Sequence, residues 1–211
     1  MTTQTATDPS AIVLKNVRLS YPHLFVPRAY QGPGAQSVQS PAKYQTNLLI
    51  PKTDKENLLL LQNAYKAAVA KVAAAKFGGK VPPDLKKPWY DGDGLTSTGK
   101  EPGEECQGHF VLSAKSSAKP PVYLKSTRVV AVEEDVWAGQ EAHISVKLAV
   151  YTGVSVGVTC YLNAVMLLGR GERIDGRVSP TDAFAGLEED YESPFAANDA
   201  EGYDDLLGMA A

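Results

Sequence analysis

The sequence has few of the residues that build metal sites and disulfides. Its two cysteines, Cys106 and Cys160, stand far apart without a CxxC motif, and it has only three histidines. A zinc site of ordinary ligand spacing is therefore not expected, and the cysteines are expected to be free thiols in a reducing cytoplasm. No cofactor is expected.

Long apolar runs are missing as well. The first ten residues are polar and lack the basic and apolar regions of a signal peptide. No segment approaches the roughly 18 consecutive apolar residues of a transmembrane helix, so no membrane association is expected.

Basic residues are missing from the last 24 positions. Residues 188–211 hold eight acids, whereas residues 1–187 hold all 21 bases and 16 acids. The body therefore carries a formal charge of +5 and the tail −8. A basic body with an acidic, disordered end predicts nucleic-acid binding, in which the tail competes with the polyanion for the cationic surface.

Several segments have the residues and flanking turns that are typical of β-strands. Residues 80–107, rich in Pro, Gly and charge, are expected to form an ordered loop with little regular structure. Pro22 is expected to end the first strand. The predicted strands cover residues 12–21, 43–50, 108–114, 122–132, 143–151 and 156–168.

The clearest helix signal follows the second predicted strand. Thr53 and Glu56 have the spacing of a capping box, apolar residues recur at helical spacing over 58–72, and Gly78 and Gly79 supply a stop. The chain is therefore predicted to be mainly β with one long helix, as an OB-fold-like Greek-key barrel with loop extensions. The predicted regions are a disordered lead (1–10), an OB-like single-strand-binding domain (11–187) and an acidic disordered tail (188–211).

Single-strand binding needs cations that follow the phosphates and aromatic faces on which bases stack. Two lysines and two aromatic residues at 86–90 offer both, although Trp89 could instead cover the end of the barrel. Tyr44 could likewise belong to the core, and the basic segment 115–125 could be a solvated turn. The candidate nucleic-acid-binding residues are Lys43, Tyr44, Lys86, Lys87, Trp89, Tyr90, Lys115, Lys119, Tyr123, Lys125 and Arg128.

Patterns of catalytic residues are weak. Asp91 and Asp93, and the acids at 133–135, are local clusters that favour turns or solvated acids over a nuclease metal site. The glycines at 169–171 lack the strand-then-helix setting and the ending of a P-loop. The chain is therefore not expected to be an enzyme.

Several short sequence segments carry a family resemblance: residues 17–22 (VRLSYP), 43–44 (KY), 88–94 (PWYDGDG), 108–114 (GHFVLSA) and 157–165. In this order and spacing, the chain resembles a family of phage and prophage proteins that bind single-stranded DNA with an OB-fold, first catalogued as a domain of unknown function. The resemblance covers roughly residues 10–187. It implies sequence-tolerant binding of single strands and a role in phage replication or recombination, in the cytoplasm of the bacterial host.

The tail is also similar to those of other replication single-strand binders, which combine acids with a few apolar residues. Its candidate partner-binding residues, for phage or host replication or recombination proteins, are Asp204, Asp205, Leu206 and Leu207. Two other functions stay open: an annealing protein for recombination, and a phage protein–protein adaptor in which the tail is an independent hook.

Overall fold

Seven strands and one long helix form the described part of the chain in the computed structural model, which covers residues 8–29, 41–83, 85–96, 99–153 and 155–178. The chain divides into two units, Met1–Gly176 and Arg177–Ala211, and all of these elements belong to the first. The helix α1 (Lys55–Phe77) follows the second strand. The strands are β1 (Ala11–Arg28), β2 (Lys43–Pro51), β3 (Trp89–Asp91), β4 (His109–Ser116), β5 (Val122–Leu124), β6 (Glu141–Thr152) and β7 (Val156–Leu167).

Five of these strands close into a barrel in the order β1-β2-β4-β7-β6. Neighbours in this ring pair antiparallel, except that β4 and β7 pair in parallel at Ala114–Cys160 and Lys115–Tyr161. The predicted mainly β barrel with one long helix is confirmed. The inward side chains of the strands fill one core, whose largest fully buried members include Leu14, Leu19, Leu48, Leu112, Ile144 and Leu148.

The first strand does not end at Pro22 as predicted. It continues to Arg28, with a register shift between Ser20 and His23 and with Tyr21 at a φ of 49°. A β-bulge of this kind accommodates proline, because the residue at the irregularity need not donate a hydrogen bond to the ladder.

The helix begins one residue later than the predicted capping box. Asp54 is the N-cap, and its carboxylate accepts a hydrogen bond from the Asn57 backbone N–H at 3.0 Å, whereas Thr53 is not the cap. The buried Asn57 also ties the helix to β1, since its side-chain amide donates to the Lys15 carbonyl at 2.7 Å. Gly78 ends the helix at a φ of 57°, as predicted. No helix within the described ranges has the length and apolar character that a membrane span needs.

The described residues of the segment 80–107 have little regular structure, as predicted. They do contain the short strand β3, which pairs with β4, and the Lys86 carbonyl accepts a hydrogen bond from Val158 of β7 at 2.8 Å. The segment thus fills the gap where β4 and β7 diverge. The strand predicted over 122–132 ends at Leu124, because Arg128 has a φ of 55° and the chain folds back on itself.

Candidate nucleic-acid interface

The closure of the barrel aligns one tyrosine and two lysines on its outer face. The register places Tyr161 of β7 beside Lys115 of β4 on one side and Lys147 of β6 on the other. Residues directly opposite each other in a sheet point to the same face. All three are exposed, and Tyr161 exposes 47% of its surface. We call these three residues the Lys–Tyr–Lys row.

The row carries positive charge next to a flat aromatic face. The Lys147 ammonium lies 3.1 Å from Asp8, which also contacts Lys71, so part of its charge is neutralised. Although Lys115 is exposed as a whole, partial loss of water around its ammonium, together with the nearby charge of Lys43, lowers its pKa. A phosphate placed between Lys43 and Lys115 would relieve this repulsion.

More cations lie on β1 and β2 and on the segment that follows β4. Arg28 at the end of β1 is in register with Lys43 at the start of β2. The Lys119 ammonium lies 4.6 Å from the centre of the Phe25 ring, so this lysine is held against β1. The fold therefore brings Lys43, Lys115 and Lys119, which the sequence analysis selected from separate segments, to one region of the surface.

Sequence analysis missed Tyr161, Lys147 and Arg28. Tyr161 stands between Cys160 and Leu162, which are both buried, so strict alternation could have identified it as an outward residue of β7. Arg28 was missed because the first strand was predicted to end at Pro22.

Tyr44 lies at the start of β2 and is half-buried. It shares a face of the strand with Thr46 and Leu48, as the sequence predicts, and both of those residues are buried. This face is the core side of β2, so the alternative role that the sequence left open for Tyr44 has structural support. Base stacking on Tyr44 stays a prediction.

Trp89 packs against the main core with its ring half-buried. Its register partner on β4 is Leu112, a core residue, and its ring meets Tyr65 of α1 edge to face, with 5.2 Å between the ring centroids. Lys86 and Lys87 are exposed, and the Lys87 ammonium lies 6.0 Å from the centre of the Trp89 ring. Base stacking on Trp89 stays a prediction, and the packing supports the alternative of covering the barrel.

Tyr90 points to the opposite face of β3. Its ring packs on a small second cluster formed by Leu49, Cys106 and Val111, and burial is the main cause that raises its pKa to about 12. Two adjacent aromatic side chains are thus both partly buried, because they face opposite sides of one short strand. A stacking role for Tyr90 also stays a prediction.

Tyr123, Lys125 and Arg128 belong to another part of the surface. Tyr123 pairs with Met166 of β7, five residues beyond Tyr161, which is roughly 16 Å along a strand. After burial, the charge of Lys125 contributes most to the lowered pKa of His143 on β6. The structure therefore divides the predicted binding residues among three places: the region of the Lys–Tyr–Lys row, the segment 86–90 beside β4, and the region around β5.

The acids at 91 and 93 hold a lysine. The Lys52 ammonium lies 2.5 Å from the Asp91 carboxylate and 2.6 Å from that of Asp93, and it lowers the pKa of both. Asp93 also accepts a hydrogen bond from the Gly108 backbone at 2.7 Å.

Among the described residues, no group of three or more His, Cys, Asp or Glu side chains could hold a metal ion. The two thiols are free and buried. The predicted partner-binding residues Asp204, Asp205, Leu206 and Leu207 lie outside the described residues.

Known proteins resemble this chain in both sequence and fold. A protein named p50 from Acyrthosiphon pisum secondary endosymbiont phage 1 is 28% identical over 178 residues, which cover 78% of this chain and 86% of that protein. The single-stranded DNA-binding protein from bacteriophage Enc34 has been solved in complex with single-stranded DNA. It matches this chain with a TM-score of 0.61 at 24% identity, and the match covers 78% of this chain and 89% of the Enc34 chain. The same phage protein in a second structure gives a TM-score of 0.60 at 24% identity, over 83% of this chain and 90% of its own.

These structural similarities establish an OB-fold-like barrel. The family model described as "Enterobacter phage Enc34, ssDNA-binding protein" matches residues 10–195, which include every strand of the barrel and the helix. The chain therefore belongs to the Enc34 single-stranded DNA-binding protein family.

Proposed function

We propose that this chain binds single-stranded DNA without strong sequence preference and protects it during phage replication or recombination, in the cytoplasm of the bacterial host. It acts as a binding protein and not as an enzyme. Family membership supports the ligand class. The observation that carries the proposal is the Lys–Tyr–Lys row, because it joins an exposed ring to cations on a rigid barrel.

The geometry of the row suits one nucleotide and its flanking phosphates. Neighbouring strands lie about 4.8 Å apart, so Lys115 and Lys147 straddle Tyr161 over about 10 Å. A base stacks on the Tyr161 ring, and the lysines meet the phosphates on either side. Stacking on one aromatic side chain contributes about 1–3 kcal/mol and is independent of base identity, because every base has a flat face.

The test is binding of a fluorescently labelled oligothymidine, followed by anisotropy at low and moderate salt. The intact protein is expected to bind, with an affinity that falls as salt rises. Tyr161→Ala should weaken binding by about tenfold, within the range of one lost stacking contact. Tyr161→Phe, which keeps the ring, is the matched control and should bind like the wild type.

Two results would count against this proposal. If the intact protein does not bind oligothymidine at low salt, single-strand binding is excluded. If it binds and Tyr161→Ala binds equally well, the interface lies elsewhere on the barrel.

We further propose that the acidic tail competes with DNA for the basic body. The sequence supports this, since eight acids without a base follow a body of net charge +5. Four residues of the tail form the proposed hook for replication or recombination proteins: Asp204, Asp205, Leu206 and Leu207. Attraction between tail and body would be screened over about 10 Å at 0.1 M salt, so competition is strongest at low salt.

Truncation after Leu187 tests the competition. The truncated protein should bind oligothymidine more tightly at low salt, and the difference should shrink as salt rises. A full-length variant with the eight tail acids replaced by Asn or Gln is the matched control, because it removes the charge and keeps the length. If neither variant binds more tightly than the wild type, the tail does not compete.

A further inference from the structure

A small cavity opens beside the cationic region, between the second half of β1 and the short turn at Glu133–Asp135. Its volume is 190 Å³, and its lining includes His23, Phe25, Arg28 and Glu133. His23 is in register with Gln45 of β2, which is in register with Lys115. The cavity thus lies at the end of a line of residues that crosses the barrel and includes the Lys–Tyr–Lys row.

The size and walls of the cavity suit one flat ring. Its volume is below the range of about 300–1,000 Å³ typical of sites for drug-sized ligands. Phe25 supplies an aromatic wall, and the ammonium of Lys119 lies 4.6 Å from the centre of that ring. Arg28 supplies a guanidinium group within the lining. A nucleotide offers both a flat ring for the aromatic wall and a phosphate for the cations.

Glu133 supplies a carboxylate to the lining of the cavity. A carboxylate accepts hydrogen bonds and does not donate them when ionised. Cytosine presents an amino group at the position where thymine presents a carbonyl oxygen, and carboxylate side chains accept from the cytosine amino group. Burial and the charge of Arg28 lower the pKa of His23, which favours its neutral form.

We propose that this cavity accepts one base that carries an exocyclic amino group, from the same strand that crosses the Lys–Tyr–Lys row. Glu133 accepts a hydrogen bond from the amino group, Phe25 contacts the ring, and Arg28 and Lys119 contact the adjoining phosphate. The inference rests on the proposed single-strand binding. The cavity would add a modest preference among bases to a surface whose other contacts do not depend on base identity.

The experiment compares oligocytidine with oligothymidine of the same length, both of them DNA, by anisotropy on the full-length protein. The wild type should bind oligocytidine roughly fivefold more tightly, near the lower limit of discrimination by a side chain–base hydrogen-bond pair. Glu133→Ala should abolish the preference. Glu134→Ala is the matched control, since Glu134 is also exposed, carries the same charge on the same short turn and does not line the cavity.

The ratio of the two affinities is the readout, because removing either glutamate also changes the general attraction to DNA. A preference that Glu134→Ala keeps and Glu133→Ala loses supports the proposal. Equal affinities in the wild type, or a preference that Glu133→Ala retains, overturns it. If oligothymidine still binds in those cases, the proposed function stands; if neither oligonucleotide binds, the proposed function itself fails.

Discussion

Replacing Trp89 with alanine distinguishes a ring that covers the barrel from a ring that stacks on DNA. Fully buried Trp-to-Ala substitutions cost about 3–5 kcal/mol of unfolding free energy. Trp89 is only half-buried, so we expect a loss of about 2 kcal/mol. About 1 kcal/mol of this would come from the edge-to-face contact with Tyr65.

The measurement is urea unfolding followed by far-ultraviolet circular dichroism, because the substitution removes a fluorophore. Trp137→Ala is the matched control. Its ring donates a hydrogen bond to the Gly171 carbonyl at 3.3 Å and lies 5.3 Å from the Arg173 guanidinium, but it belongs to neither hydrophobic cluster. Trp137→Ala should therefore lose clearly less stability than Trp89→Ala, with similar urea dependence in both variants.

An unfolding free energy of Trp89→Ala within about 0.5 kcal/mol of the wild type would refute the covering role, since that is the usual range for surface substitutions. Oligothymidine binding by the folded variant supplies the second half of the comparison. If a double substitution of Trp89 and Tyr90 by alanine stays folded but loses DNA binding, stacking in this segment is the correct interpretation.

Two other predictions concern the interface and the helix. Lys115→Ala should reduce the slope of log affinity against log salt by about 0.7, the value for one phosphate contact on a single strand. Lys66→Ala, on the exposed side of α1, should leave the slope unchanged. Equal slopes for the two variants would show that Lys115 does not belong to the interface. Asp54→Ala should cost about 1 kcal/mol in urea unfolding because it removes the N-cap, whereas Thr53→Ala should cost little; the opposite order would restore the capping box that the sequence predicted.

The local pattern of residues was sufficient for the elements of the barrel. Alternation over 43–50 predicted β2 closely, because a half-buried strand alternates whatever it packs against. The frequency of Val, Ile, Thr and Tyr over 143–151 and 156–168 predicted β6 and β7. Gly78 marked the end of α1, since a left-handed residue there favours glycine. The separation of charge between body and tail is also a property of the sequence alone.

Long-range strand pairing determined the features that the local residue pattern could not predict. Whether Pro22 ends a strand depends on a bulge against β2, and whether residues 89–91 form a strand depends on a gap between β4 and β7. Tyr161 and Lys115 are 46 positions apart, and Lys147 lies on a third strand. They become neighbours only through the register in which the barrel closes, because register sets which side chains share a face. The sequence by itself determined most of the strands, the end of the helix and the separation of charge, because these depend on local pattern and composition. The tertiary structure decided which side chains lie together on the surface of the barrel.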